Sequence, residues 1–215
     1  IPPEKVNSDH TDAWDAPDAW MLVQHDPLAT RATPRPATDG FLLHAKTGAM
    51  RRVPYEGANV VPLCFVRDRS EVLALSNDPL EGKGLVHIDL TSRENTPIPL
   101  DDNVGMPLAA ALAPNGREVA LLCGFNGEGE LLEFQFYVLD LETEAVVPLG
   151  KRARIGGPFS WLPDNSGLIL KRFIPGKDTG AIEGRMICRM DRDGTLTDII
   201  TGDTPVVLRN SRRIL

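Results

Sequence analysis

A short pattern returns along this chain at intervals that leave room for few folds. Leu112-Ala113-Pro114-Asn115-Gly116-Arg117-Glu118-Val119-Ala120-Leu121 matches Trp161-Leu162-Pro163-Asp164-Asn165-Ser166-Gly167-Leu168-Ile169-Leu170. It recurs as Phe65-Val66-Arg67-Asp68-Arg69-Ser70-Glu71-Val72-Leu73-Ala74 and as Leu208-Arg209-Asn210-Ser211-Arg212-Arg213-Ile214-Leu215. The apolar residue after each turn, Val72, Val119, Leu168 and Ile214, sets intervals of 47, 49 and 46 residues.

A second element keeps phase with the first. It reads Leu85-Val86-His87-Ile88-Asp89-Leu90-Thr91, Tyr137-Val138-Leu139-Asp140-Leu141-Glu142-Thr143 and Ile187-Cys188-Arg189-Met190-Asp191-Arg192-Asp193-Gly194, with Phe41-Leu42-Leu43-His44 as a weaker copy. Intervals of roughly 40–50 residues belong to four-stranded propeller blades. Trp14 to Leu22 is a degenerate first copy of the turn element, with Trp14 in the place of Trp161.

Each unit reads as four antiparallel strands, a to d. In the third copy strand a is Leu108–Leu112, b is Glu118–Cys123, c is Phe134–Leu141 and d is Ala145–Leu149. Turn residues bracket short apolar or β-branched runs, and no segment carries a sustained 3.6-residue period. Four such strands cannot bury both faces alone, so the units must stack; radial stacking gives an all-β fold, a β-propeller of four-stranded antiparallel blades. The blades fall at about 13–54, 60–100, 107–149 and 158–200, with a partial fifth at 205–215 and residues 1–12 as a linker or closing strand. A six-bladed ring at this period needs about 280 residues, so the reading is a segment of a larger propeller; a five-bladed ring closed by Glu4–Asp9 is the alternative.

The Pro-Asn/Asp-Gly-like turn before strand b, together with a strand c of the Tyr-Val-Leu-Asp-Leu-Glu-Thr type, resembles the repeats of TolB-like (WD-repeat-like) β-propellers. The resemblance runs over about residues 13–215; Arg67-Asp68-Arg69 and Arg209-Asn210-Ser211 depart from it in lacking the proline and glycine. It implies a non-enzymatic scaffold for a protein or peptide partner, in a periplasmic or exported setting. Similar propellers also cap the active site of prolyl-oligopeptidase-like hydrolases or form sugar-lyase sites, which keeps an enzyme as the rival reading.

Antiparallel order sorts the loops. The short a–b and c–d turns lie at one end of a blade, the longer b–c loops and the d–a connections at the other. Varied loops gathered at one end of a rigid scaffold are where binding residues accumulate. The candidates there are Arg31, Arg35, Asp78, Glu81, Glu128, Asp178 and Arg185 from the b–c loops, with Asp102, Arg154 and Asp203 from the connectors.

Other chemistry finds little footing. With 23 Lys and Arg against 30 Asp and Glu, the net charge of −7 opposes a nucleic-acid or anionic-membrane surface. No apolar run reaches the roughly 18 residues of a membrane span. Cys64, Cys123 and Cys188 sit in apolar stretches and read as buried thiols rather than a disulfide or metal framework. His10, His25, His44 and His87 lack metal-ligand spacing, so no cofactor or metal is expected, and His44 stands in the structural place of Asp89 and Asp140. Asp191-Arg192-Asp193-Gly194 opens like a calcium loop but lacks its closing glutamate, and its phase makes it a c–d turn. Gly156 to Trp161 is no nucleophile elbow, because Ser160 leads into a strand. A fifth blade stopping after two strands would leave an unpaired edge and an apolar face, which favours a homo-oligomer through that blade, or aggregation unless more of the parent chain is supplied.

Overall fold

The computed structural model describes residues 20–25, 39–55, 60–66, 70–78, 82–125, 133–175 and 182–202. Residues 1–12, the first copy's Trp14 turn and the partial fifth blade at 205–215 lie outside the described residues. Within them every regular element is a β-strand, in four antiparallel sheets, and the fold is that of propeller blades.

The chain divides into two compact units, Ile1–Leu100 and Asp101–Leu215. The first holds β1 (Trp20–His25), β2 (Asp39–His44) and β3 (Met50–Arg52) in one sheet, then β4 (Val60–Val66), β5 (Glu71–Asp78), β6 (Gly82–Asp89) and β7 (Asn95–Ile98) in the next. The second holds β8 (Met106–Leu112), β9 (Glu118–Phe125), β10 (Glu133–Asp140) and β11 (Val146–Ala153), then β12 (Ile155–Trp161), β13 (Gly167–Pro175), β14 (Ile182–Asp191) and β15 (Leu196–Thr201). Each sheet is a meander in chain order, because every connection is a hairpin.

Register confirms the phase of the repeats. The pair at the open end of the b–c hairpin, beside the a–b and c–d turns, is Trp20 with His44, Glu71 with Asp89, Glu118 with Asp140, and Gly167 with Asp191. Val119 to Cys123 are buried in succession on both faces of the sheet. This explains an uninterrupted apolar run in place of alternation. In the first unit Trp20, Leu42 and Val53 pack with Val60, Val72, Ala74, Val86 and Ile88 of the second sheet. In the second unit Ala120, Leu122, Phe136, Val138 and Leu149 pack with Ile155, Trp161, Leu168, Leu170 and Met190. Burying one such side chain stabilises by about 1.5–3 kcal/mol. Within each unit the two neighbouring blades thus share a core.

Strand a carries a register shift in each of the three sheets where it is described, between Pro62 and Cys64, Pro107 and Ala109, and Gly156 and Ser160. Proline has no N–H to give a ladder, so an edge strand with a bulge is where it fits.

One detail differs from the sequence reading, in which the b–c loops run over about Asp26–Asp39, Ser76–Gly84, Gly124–Glu133 and Ile174–Arg185. The b–c hairpins of the second, third and fourth blades are tighter: Asp78 pairs with Gly82, Phe125 with Glu133 and Pro175 with Ile182, so residues read as loop extend the strands. In the fourth blade the left-handed turn residue is Asn165 (φ 57°), the aligned counterpart of Gly116 (φ 71°). Gly167 answers another need, since a Cβ there would lie 2.2 Å from the Met190 carbonyl oxygen.

Candidate functional site

The two ends of the blades differ in chemistry, and the second unit shows this most fully. At the turn end, the c–d hairpins of the first three blades are built on a single side-chain acceptor at the strand's last residue. Asp89 Oδ1 accepts from the N–H groups of Thr91 and Ser92, Asp140 Oδ1 from those of Glu142 and Thr143, and His44 Nδ1 from that of Thr47. The same backbone bond closes each turn, from the N–H of Gly48, Arg93 or Glu144 to the carbonyl of His44, Asp89 or Asp140. Histidine at position 44 is therefore a structural stand-in for aspartate.

The remaining charge at this end is spent on neighbours. Arg117 bridges Asp140 (2.8 Å) and Glu142 (2.9 Å). The Thr143 N–H, then Arg117, hold the Asp140 carboxyl down at about 2 against partial desolvation. Between the third and fourth blades, the Arg192 guanidinium donates to both Glu118 oxygens (2.9 and 2.6 Å) and to the Asn165 carbonyl (2.8 Å). It also lies 4.6 Å over the Trp161 ring, whose indole N–H donates to the Ala111 carbonyl at 2.9 Å. The Arg192 bond keeps the Glu118 carboxyl below its usual range. Trp161 is thus an interblade packing residue. Gly194 (φ 83°) closes the turn that Asp191 opens, as the hairpin reading of this stretch requires. Among the described residues no group of three His, Cys, Asp or Glu side chains could hold a metal ion.

The loop end of the second unit is arranged differently. Asp101, Asp102 and Asn103 form an exposed turn closed by the Val104 N–H on the Asp101 carbonyl (2.9 Å). Tyr137 Oη donates to the Asn103 carbonyl (3.2 Å), and Gln135 Nε2 to the Gly150 carbonyl (2.8 Å). Arg152 lies 3.7 Å over the Phe125 ring. A guanidinium stacked on an aromatic face is a surface suited to peptide contacts. Phe125 was not singled out in the sequence because it ends an apolar strand run; the signal available was its place at the loop end of b.

Of the predicted site residues, Asp102 is exposed in that turn and Arg154 is half-buried between β11 and β12, its carbonyl accepting from the Phe173 N–H (2.9 Å). Arg185 is exposed on β14 opposite Phe173, and Asp78 lies at the end of β5. Arg31, Arg35, Glu81, Glu128, Asp178 and Asp203 lie outside the described residues. Burial pushes the Cys64, Cys123 and Cys188 thiols up to about 12, with Asp198 adding to the effect at Cys188. A thiol held protonated is a poor nucleophile.

No protein-family model matches the chain, and no curated protein matches it either. Solved structures do. A putative TolB from Agrobacterium tumefaciens is similar with TM-score 0.62 and 12% identity, over 85% of this chain and 61% of that one. TolB from Acinetobacter baumannii gives TM-score 0.55 and 17% identity, over 79% of this chain and 40% of that one. An oligogalacturonate lyase from Vibrio parahaemolyticus gives TM-score 0.54 and 14% identity, over 83% and 48%. At these identities the likeness is one of fold: the chain has the fold of the TolB-like β-propellers and spans about half the length of these proteins.

Proposed function

We propose that this chain is a non-enzymatic propeller scaffold that binds a protein or peptide partner through the loop end of its blades. The contrast between the two ends carries the reading. At the turn end Arg117, Arg192, Glu118 and Asp140 are engaged within and between blades. At the loop end of the second unit lie an Arg152–Phe125 stack and the exposed Asp102 turn. Arg154 and Arg185 of the same unit are proposed to belong to this face, and Arg31, Arg35, Asp78, Glu81, Glu128, Asp178 and Asp203 are proposed as binding residues from the sequence pattern alone. The fold shared with TolB supports a protein-binding role in a periplasmic or exported setting.

The test is selection of displayed peptides on the immobilised full chain, followed by affinity measurement with two variants. Arg152→Ala should weaken the selected peptides about tenfold or more, the scale of a modest interface anchor. Arg117→Ala, at the opposite end, should leave them unchanged. Peptides that respond equally to both variants, or no selectable peptide, would refute the loop-end reading.

The likeness to an oligogalacturonate lyase favours one rival, a propeller domain that forms or gates the active site of a larger enzyme. Its test is direct. Formation of an unsaturated sugar product from oligogalacturonides, followed by ultraviolet absorbance, would establish it for this chain.

A further inference from the structure

The outermost strand of each blade is a sheet edge, and an edge left open is a template for another strand. Three of the blades close it. In the second, the outer strand β7 has Pro97 opposite Val86, and in the third, β11 has Pro148 opposite Tyr137. Each proline stands directly before a buried residue of its own strand, Ile98 or Leu149. A proline on an edge strand turns its nitrogen to solvent and withholds the donor that a further strand would need. In the first blade β3 is three residues long and includes Arg51 and Arg52, and a short charged edge is a poor template.

The fourth blade lacks this protection. Its outer strand β15 has six residues and no proline, and it ends its sheet among the described residues. Ile200 opposes Ile187 as Leu149 opposes Phe136, so the residue in the place of Pro97 and Pro148 is Ile199, which keeps its N–H. Thr197 to Thr201 are all exposed, Ile199 at 46% and Ile200 at 60%. All of these but Asp198 are β-branched, the type that suits extended pairing, and the Asp198 charge is met by Arg172. We propose that β15 is a strand-addition edge whose occupant is an extended, proline-free segment of a partner protein, rich in β-branched residues and paired backbone to backbone. The bulge in β15 argues for a flexible segment over a second copy of this chain. Ile199 has no opposite residue on β14, because Ile187 opposes Ile200 and Cys188 opposes Asp198. Such a bulge bends the strand and sharpens its twist, which a flexible segment can follow and a second bulged edge would have to match. A chain of net charge −7 also repels its own copy. One strand about 20 Å long is too narrow to bury the roughly 1,200 Å² of a stable dimer. Being the edge of one blade, the site stands or falls independently of the loop-end reading.

The probe is a short fluorescent peptide of alternating threonine and valine, flanked by lysines for solubility, whose anisotropy is measured against the full chain. Ile199→Pro, which gives β15 the proline of its sister strands, should weaken binding about tenfold or more, the worth of one or two backbone hydrogen bonds. Methylating alternate amides of the peptide should do the same. Val147→Lys, at an exposed apolar position beside Pro148 on β11, should leave binding unchanged. Ile200→Lys should give the same loss as Ile199→Pro, and it replaces that variant if urea melts show that the proline prevents folding. No binding by the intact chain, equal binding of the methylated peptide, or an equal loss with Val147→Lys would overturn the proposal. So would a dimer in sedimentation that Ile199→Pro dissolves, because a second copy would then be the occupant.

Discussion

Gly116 and Gly194 both hold left-handed backbone, yet they should respond differently to a methyl group. Gly116 (φ 71°) has nothing within 4 Å of a built Cβ, so Gly116→Ala should cost only the backbone term, about 1–2 kcal/mol. At Gly194 (φ 83°) a Cβ would lie 2.2 Å from Gly150 Cα, and relief requires backbone to move. Gly194→Ala should therefore cost the same term plus about 1–3 kcal/mol of overpacking. Urea melts that rank Gly116→Ala as the worse change would refute this account of the turns. Asp140 supplies a pH prediction. Its folded-state value of about 2 lies below the ordinary carboxylate value, so its contribution is fully present above about pH 4 and is lost as pH falls through about 2. Asp140→Asn should flatten that part of the acid limb in melts recorded between pH 5 and 2. An unchanged acid limb would mean that the Thr143 and Arg117 bonds do not persist in solution.

At the scale of elements, the joint between the third and fourth blades rests on two side chains from the fourth. Trp161 places its indole N–H on the Ala111 carbonyl, and Arg192 ties Glu118 while covering the Trp161 ring. Arg192→Lys keeps the charge but loses the paired geometry to Glu118, so it should recover little of the stability lost in Arg192→Ala. A double-mutant cycle with Glu118→Gln should give a coupling of about 1 kcal/mol or less, because both side chains retain solvent contact. Full rescue by lysine would show that charge alone matters there. The repeat set Trp161 in phase with Leu112 and Trp14, but Arg192 was hidden in a stretch that looked like an ordinary hairpin turn. Strand ends were equally obscure for a physical reason: Ser76-Asn77-Asp78 and Gly82-Lys83-Gly84 are polar or flexible residues that pair across a hairpin, and their composition resembles loop.

For the whole molecule, the fold was legible because turn chemistry and apolar runs recur in phase, and phase is a property that no single strand possesses. Pro114-Asn115-Gly116 and Pro163-Asp164-Asn165 mark the same bend, even though Asn165 replaces the glycine by tolerating left-handed backbone. The candidate face was less legible, since Asp102 and Arg185 carry no spacing that distinguishes a binding charge from a solvated one, and Phe125 reads as core until Arg152 is found above it. What the whole chain commits to is its secondary structure. Each blade satisfies its backbone through hairpin ladders, and neither a helical period in the sequence nor a helix among the described residues offers the alternative. Far-ultraviolet circular dichroism of the intact chain should therefore be dominated by strand. A helix content near the globular average of about a third would require helices where the repeat phase puts hairpins, and stacking blades of antiparallel strands could then no longer account for the chain.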